Sequence, residues 1–291
     1  LYDAIRGTGR HLSSDSAGAE VGLNSEYGYL GTFGQADGTA DGFVLRGGST
    51  NSNYVAQSTN AYISWNWLAG GAPTATNNNT SGAMDSNSVF VDGSALSFTP
   101  DGNATIYPKK ISANRTAGFS ITLYTGDDAG SAKVPHGLTQ APEMVIIKNL
   151  DEAITSPAWP VFHHQAIASP ATNYLDLFTT ANNNDGAETV WNDVLPSATL
   201  VTLGTADSVN SGSDHIMYCF HSVEGYSKFG SYTGNGDADG SFVYTGFRPA
   251  WIMFKRTVGG VTHWQIHDTK RSPINPSGIG LLANTNDGDG V

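Results

Sequence analysis

Three oxygen-bearing side chains at alternate positions could hold a metal ion. Asn235, Asp237 and Asp239 lead into Gly240, and this spacing is that of the first half of a calcium-binding loop. An EF-hand also needs a bidentate glutamate at its twelfth position, which is Gly246 when counted from Asn235, so the EF-hand is excluded. A non-EF calcium site and a solvated hairpin turn both stay open. The turn is favoured, because Gly, Asn and Asp tolerate turn backbone.

Other residue types that perform catalysis occur without the spacing that a mechanism requires. His163 and His164 are adjacent, but neither H-E-x-x-H nor a Cys/His zinc pattern is present. No G-x-S-x-G motif occurs, and Cys219 lies inside the apolar run IMYCF, which predicts a packed thiol. We therefore predict a non-enzymatic protein with no catalytic residues. Hydrolysis by two carboxylates stays an alternative, since such partners need not be close in sequence.

Tryptophan side chains could stack on sugar rings, as they do in lectins. The chain has six. Trp159 and Trp264 occupy matching places in two similar segments, which fits a core role equally well. Trp191 lies in AETVWND, which has no counterpart elsewhere in the chain. We therefore predict Trp191 as an exposed aromatic residue and a candidate ligand-binding residue.

The composition indicates a folded, acidic protein. Of the 291 residues 39% are hydrophobic and 14% are charged, with a formal net charge of −12. An acidic surface repels phosphate backbones and anionic lipids, so neither nucleic acid nor a membrane is expected as a partner. The only cysteine is Cys219. A small disulfide-stabilised scaffold is therefore excluded.

Short strand patterns dominate the chain. The clearest are rich in β-branched or aromatic residues and are bounded by Gly, Pro, Asn or Asp. They are FSITLYTG (119–126), EMVIIKN (143–149), TLVTLG (199–204), HIMYCFH (215–221), SFVYTG (241–246) and WIMFKR (251–256). AYISWNW (61–67) also alternates between two faces. Only 151–158 or 185–194 could hold a short helix.

Several segments recur at an interval of about 107 residues. The run from Tyr124-Thr125-Gly126 through APEMVIIK matches the run from Tyr232-Thr233-Gly234 through PAWIMFK. Two further matches occur at other intervals. LYDAIR at the start of the chain resembles IHDTKR (266–271). Residues 42–67 resemble 199–221, so that Trp65 aligns with Tyr218 and Trp67 with Phe220.

These matches divide the chain into repeat units. Residues 116–223 form a complete unit, which we call the middle unit. Residues 1–70 form a partial unit that corresponds to its C-terminal half, and residues 224–291 form a partial unit that corresponds to its N-terminal part; we call them the N-terminal and C-terminal units. Residues 71–115 interrupt the repeat and are predicted to be an inserted hairpin or a linker.

The unit length and the short strands predict the fold. A unit of this size with six to eight strands suits a β-sandwich or jelly roll, in which two sheets cover each other's apolar faces. We therefore predict an all-β protein of tandem antiparallel, jelly-roll-like β-sandwich repeat domains. The clipped outer units indicate either a longer array or a split domain in which residues 224–291 and 1–70 complete each other.

As a set, these motifs are similar to a known family. LYDAIRGTGRHLSSDS, ISWNWLAGG, SANRTAGFSITLYTG, HGLTQAPEMVIIKN and KFGSYTGNGDADGSFVYTGFRPAWIMFKR resemble a β-rich repeat domain of uncharacterised function. That domain occurs in virion structural proteins of marine tailed bacteriophages, described as tail-fibre, appendage or concanavalin-like. The resemblance covers residues 1–70 and 116–291 and supplies no catalytic residues.

The resemblance implies a virion protein that is made in the host cytoplasm and assembles with other virion proteins. A homo-oligomer, a trimer by analogy with fibres, and contact with host surface glycans are expected. Two alternatives belong to other classes, a carbohydrate-binding lectin-like module and a polysaccharide depolymerase. Beyond the calcium considered at Asn235, Asp237 and Asp239, no cofactor is predicted.

Overall fold

The computed structural model describes residues 1–22, 29–33, 42–46, 61–166, 169–274 and 277–287. In this part of the chain strands account for nearly all regular structure. They are β1 (Tyr29–Phe33), β2 (Phe43–Arg46), β3 (Val89–Val91), β4 (Ser94–Ala95), β5 (Lys110–Asn114), β6 (Phe119–Thr125), β7 (Ala132–Pro135), β8 (Met144–Asn149), β9 (Pro160–His163), β10 (Asn173–Asp176), β11 (Asn184–Asp185), β12 (Leu200–Leu203), β13 (Asp214–Phe220), β14 (Trp251–Phe254), β15 (Gln265–Asp268) and β16 (Leu281–Leu282). One helix, α1 (Asp207–Asn210), has a single turn.

A nine-stranded sheet is the centre of the molecule. Its strand order is β11-β10-β9-β8-β13-β6-β5-β3-β4, and β13 pairs antiparallel with both β6 and β8. Successive side chains of a strand point to opposite faces, so β13 serves two cores. Met217 and Cys219 enter one core, and Ile216 and Tyr218 enter the other.

The first face of the central sheet is covered by a second sheet. Strands β7 and β12 pair with each other over four residues. Their apolar side chains Val134, Val201 and Leu203 are buried in the same core as Met217 and Cys219. Two layers of strands therefore enclose this core, which is the β-sandwich arrangement predicted from the sequence.

The second face is covered by the beginning of the chain. Ile5 and Leu12 are buried in one cluster with Trp159 and Trp264, on the face to which Tyr218 points. Three predicted units thus contribute to one apolar cluster, because Ile5 lies in the N-terminal unit and Trp264 in the C-terminal unit. Removal of any one contribution would expose apolar surface of the other two.

The predicted all-β sandwich class is confirmed, with local differences. Predicted strands at 119–126, 143–149, 199–204, 215–221 and 251–256 correspond to β6, β8, β12, β13 and β14. The predicted strand at 241–246 is wrong, because these residues pair with no other strand among those described and the side chain of Phe242 is 90% exposed. No helix forms at 151–158 or 185–194, and the single turn of helix lies at α1 instead.

Residues 71–115 are part of the central sheet. Strands β3 and β4 form a hairpin, which fits the predicted inserted hairpin, and β5 pairs with β6 of the middle unit. Val89 and Ile111 of this segment are fully buried in the first core. This segment therefore extends the sandwich and is not a detached linker.

A separate three-stranded sheet reproduces part of the central one. In the order β14-β15-β16, Trp251 pairs with Asp268 and Ile266 with Leu281. In the order β8-β9-β10, the aligned residues pair in the same way, Met144 with His163 and Val161 with Leu175. The aligned segments of the middle and C-terminal units thus share strand order, direction and register.

A membrane-crossing helix is not found in the described ranges, since none of their helical segments has the required length and apolarity.

Candidate assembly interface

Two turns with the pattern Asp-x-x-Arg have the same hydrogen bonds. In the first, Asp3 Oδ1 accepts the backbone N–H of Ile5 and of Arg6, and Arg6 Nε donates to Asp3 Oδ2. In the second, Asp268 Oδ1 accepts the N–H of Lys270 and of Arg271, and Arg271 Nε donates to Asp268 Oδ2. The carboxylate fixes the turn, and the arginine neutralises the carboxylate. The resemblance of LYDAIR to IHDTKR therefore extends to three-dimensional structure.

Each Asp-x-x-Arg turn contacts an aromatic residue from the predicted match between 42–67 and 199–221. Tyr218 donates its hydroxyl to Asp3 Oδ2 at 2.7 Å, and Arg6 Nη1 lies 3.0 Å from Glu20 Oε1. The guanidinium carbon of Arg271 lies 5.8 Å from the ring centre of Trp65, a cation–π distance. Trp65 aligns with Tyr218, so the two turns have aligned neighbours. Residues 47–60 of this match lie outside the described part of the chain.

A lysine at the same place in two units binds a carbonyl of the preceding unit. Lys148 Nζ donates to the carbonyl of Ala17 at 3.0 Å, and Lys255 Nζ donates to that of Thr180 at 2.8 Å. Lys255 also donates to the carbonyl of Thr262 within its own unit. Lys148 and Lys255 are aligned at the ends of VIIK and IMFK.

The acceptor carbonyls are equivalent as well. Leu1 aligns with Ile266 and therefore with Val161. Ala17 comes five residues after Leu12, whose N–H donates to the carbonyl of Leu1. Thr180 comes five residues after Leu175, which pairs with Val161. The two lysines therefore reach the same position in successive units.

The tryptophans predicted to share a repeat position form the second part of this contact. Trp159 Nε1 donates to the carbonyl of Ser16 at 2.9 Å, and Trp264 Nε1 donates to that of Asp176 at 2.9 Å. The ammonium of Lys148 is 5.7 Å from the ring centre of Trp159. We call Lys148 and Trp159 with their acceptors the first joint, and Lys255 and Trp264 with theirs the second joint.

Burial sets the ionisation of the joints. It lowers the pKa of Lys148 to about 8, against the opposing influence of Asp176, and it lowers the pKa of Lys255 to about 8. Burial raises the pKa of Asp176, although its carboxylate accepts the N–H groups of Ala158, Trp159 and Phe178. Lys148, Lys255 and Asp176 thus all form hydrogen bonds to main-chain atoms.

Trp191 is placed differently from the prediction. Its side chain is 1% exposed and packs edge-on against Phe162 in the first core, with ring centres 6.1 Å apart. The prediction of an exposed residue is therefore wrong, because turns at 187–193 fold the ring inward against the central sheet. A ring inside the core has no free face on which a sugar could stack. Trp191 therefore belongs to the packing of the sandwich.

Asn235, Asp237 and Asp239 form an exposed turn. Asn235 Oδ1 accepts the N–H of Asp237, and Asp237 Oδ1 accepts the N–H of Asp239, each at 3.1 Å. Asn235 Nδ2 donates to the carbonyl of Asp239 at 2.8 Å. These bonds account for the turn without an ion. Within the described residues no three His, Cys, Asp or Glu side chains converge as a metal would require, and the calcium site stays a prediction.

Cys219 lies in the packed core, and His163 is half-buried at the end of β9. Cys219 is fully buried, and burial raises the pKa of its thiol far above its usual value. Burial and the neighbouring His164 lower the pKa of His163 to about 4, so His163 is neutral at pH 7. The Cys219 thiol is therefore not in the thiolate state of a nucleophile, and His163 is a weaker base than an ordinary histidine.

Sequence reasoning did not single out the joint lysines or the Asp-x-x-Arg turns as an interface. The signal was present, since a lysine ends both VIIK and IMFK, and Asp and Arg recur at the same spacing in LYDAIR and IHDTKR. A charged residue that recurs at the end of an apolar strand indicates a specific buried partner, because an unpaired buried charge is costly.

One of the comparisons with known proteins identifies a family. A family model described as "Domain of unknown function (DUF7483)" matches residues 1–106 and again residues 92–291. No curated protein and no solved structure has a significant match to the chain.

Proposed function

The chain belongs to the DUF7483 family of domains of unknown function, and from this premise we propose that it is a non-enzymatic structural protein of a tailed-bacteriophage virion. It would build a tail fibre, an appendage or a decoration from successive sandwich units. The virion location rests on the resemblance of the sequence motifs to phage virion proteins.

The observation that carries the structural role is the recurrence of the joint. The first joint connects the N-terminal unit to the middle unit, and the second connects the middle unit to the C-terminal unit. In both, an aligned lysine and an aligned tryptophan bind main-chain carbonyls of the preceding unit, at equivalent positions for the lysines and at different positions for the tryptophans. A contact that repeats from unit to unit with the same polarity is heterologous, and such contacts build arrays or rings.

The tandem organisation is supported by the shared register of β8-β9-β10 and β14-β15-β16. We propose the units 1–70, 116–223 and 224–291 on this basis, with residues 71–115 inserted between the first two. Linked units present the same loops several times, so weak contacts with a host surface glycan or with other virion proteins would add up.

The test of the virion role is to locate the chain in purified particles of a phage that encodes it. We expect stoichiometric amounts by mass spectrometry and antibody labelling of a discrete feature, such as the tail or capsid surface, by electron microscopy. Absence from washed particles would exclude the role.

Two measurements separate the alternatives. Specific hits on a glycan array would favour a lectin-like module, and loss of viscosity in a capsular polysaccharide preparation would favour a depolymerase. Light scattering of the purified chain tests the trimer that the fibre analogy predicts.

A further inference from the structure

We propose that residues 62–67 form the missing strand beside β14, antiparallel to it and in the register that places Trp67 opposite Trp251. The proposal goes beyond the virion role, since it concerns how two distant parts of this chain close into one sheet.

The complete sheet shows what belongs at this edge. In the middle unit β8 pairs with β9 on one side and with β13 on the other. In the C-terminal unit β14 pairs with β15 in the equivalent register, and no strand among the described residues pairs with its other edge. The edge of a sheet has unpaired backbone N–H and C=O groups, which can form hydrogen bonds with a further strand.

The segment that aligns with β13 already lies at this edge. Trp67 aligns with Phe220, and Trp251 aligns with Met144, the residue that Phe220 faces in the central sheet. The rings of Trp67 and Trp251 are in contact, with centres 5.4 Å apart and planes at 84°. The pairing that we propose is therefore continuous with an interface that the structure contains.

A second contact fixes which face of the segment turns inward. The ring of Trp65 lies under Arg271, and the aligned Tyr218 donates its hydroxyl to Asp3, the carboxylate partner of Arg6. Ile63 and Trp65 are half-buried, whereas Ser64 and Asn66 are exposed. This alternation is that of a strand with one covered face, and it places Trp65 opposite Met253 when Trp67 is opposite Trp251.

The polar groups at this edge are incompletely used. The indole Nε1 atoms of Trp65 and Trp251 are buried and have no hydrogen-bond partner among the residues that the structure describes. Tightening of residues 62–67 onto β14 would supply main-chain partners for the open edge and bring both indoles within reach of new acceptors. Residues 62–67 thereby join the N-terminal unit to the C-terminal unit through main-chain hydrogen bonds.

A disulfide pair tests the register. The double variant Asn66→Cys/Ile252→Cys places two exposed positions opposite each other, and the matched control Ser64→Cys/Ile252→Cys is two residues out of register. We expect the first pair to form an intramolecular disulfide at least about tenfold faster under mild oxidation, because directly opposed Cβ atoms are about 5 Å apart and diagonal ones about 7–8 Å. Cys219 is fully buried and does not compete.

Equal rates for the two pairs, or cross-linking only between chains, would overturn the proposal. Hydrogen exchange gives an independent measurement. Ser64→Pro should increase the exchange of β14 amides at least about tenfold and leave β8 unchanged, with Ser64→Ala as the control, because proline cannot donate to a strand ladder. Unchanged exchange of β14 in Ser64→Pro would also overturn it.

Discussion

The Tyr-Thr-Gly motif has two environments in this protein. In the middle unit Tyr124 is fully buried, and its hydroxyl donates to the carbonyl of Val209 at 2.6 Å. A Cβ added to Gly126 would lie 2.0 Å from the carbonyl oxygen of Ser211. In the C-terminal unit Tyr232 is 56% exposed, and a Cβ on Gly234 would meet no atom within 4 Å.

The difference comes from the elements that surround the motif. In the middle unit α1 supplies Val209, Ser211 follows the end of α1, and β13 is the strand that pairs with β6. No described strand has this position against residues 227–233. A strand motif thus determines a potential for pairing, and neighbouring strands determine whether its side chains become a core. The joints, by contrast, are formed in both units, since their acceptors come from the preceding unit.

Replacement of the two tyrosines should give the largest contrast. Tyr124→Ala removes a buried ring and a buried hydrogen bond, and we expect it to lower the free energy of unfolding by about 3–5 kcal/mol. Tyr232→Ala should change it by less than about 0.5 kcal/mol, as is usual for exposed positions. Urea denaturation followed by circular dichroism measures both. Similar losses for the two variants would show that Tyr232 is packed against other residues in solution.

The glycines give the next contrast. Gly126→Ala forces a methyl group against a main-chain oxygen, and we expect a loss of about 1–3 kcal/mol, as for overpacked cores. Gly234→Ala has free space and should be neutral within about 0.5 kcal/mol. Thermal unfolding of the two variants is the measurement. An unaffected Gly126→Ala would mean that the 210–212 turn shifts readily.

The two Asp-x-x-Arg turns should differ by a smaller amount. Asp3→Ala and Asp268→Ala each remove the carboxylate that binds Nε of a buried arginine, and breaking a buried pair typically costs about 3–5 kcal/mol. Arg6 keeps its ion pair with Glu20 in the first variant. Asp3→Ala should cost about 1 kcal/mol more, because it also removes the acceptor of the Tyr218 hydroxyl. The double variant Asp3→Ala/Tyr218→Phe checks the cause, since the tyrosine should then add little. An equal effect of Asp3→Ala and Asp268→Ala would contradict it.

The smallest contrast concerns pH. Burial lowers the pKa of Lys148 to about 8, whereas an unfolded lysine titrates near 10.4. Between these values the unfolded chain binds a proton that the folded chain lacks, so this lysine makes the free energy of unfolding rise as pH rises. Lys148→Met should reduce the slope between pH 8 and 9 by at most about 1.4 kcal/mol per pH unit. Denaturant titrations across this range measure the slope, and identical slopes would contradict the assignment.

The strands of the middle unit could be predicted because each combines β-branched or aromatic residues with turn residues at its ends. The segment 241–246 has the same pattern and does not pair, since a pattern carries no information about whether a partner strand is within reach. Phe242 at 90% exposure is the result. The alignment of the units indicates the pairing registers indirectly, because residues that align between two units have aligned partners on the neighbouring strand.

Trp191 shows what a single sequence lacks. AETVWND has no periodicity over a full strand or helix, so nothing in it indicates the direction of the ring. Its burial arises from turns that place it against Phe162 of a distant strand. The acceptors of the joints could not be predicted for a related reason, because they are main-chain carbonyls, which every residue possesses, whereas the recurring lysines indicate the donors.

That property of the acceptors has a consequence for how the chain can vary. The loops at 16–17 and 176–180 accept the joint lysines and the indoles of the joint tryptophans through peptide oxygens, although the carboxylate of Asp176 also accepts the N–H of Trp159. Substitutions in these loops leave the bonding groups in place as long as the path of the backbone is kept. Within these loops Thr180 can therefore vary while the linkage between units stays the same, whereas Asp176 and Leu177 are constrained by burial.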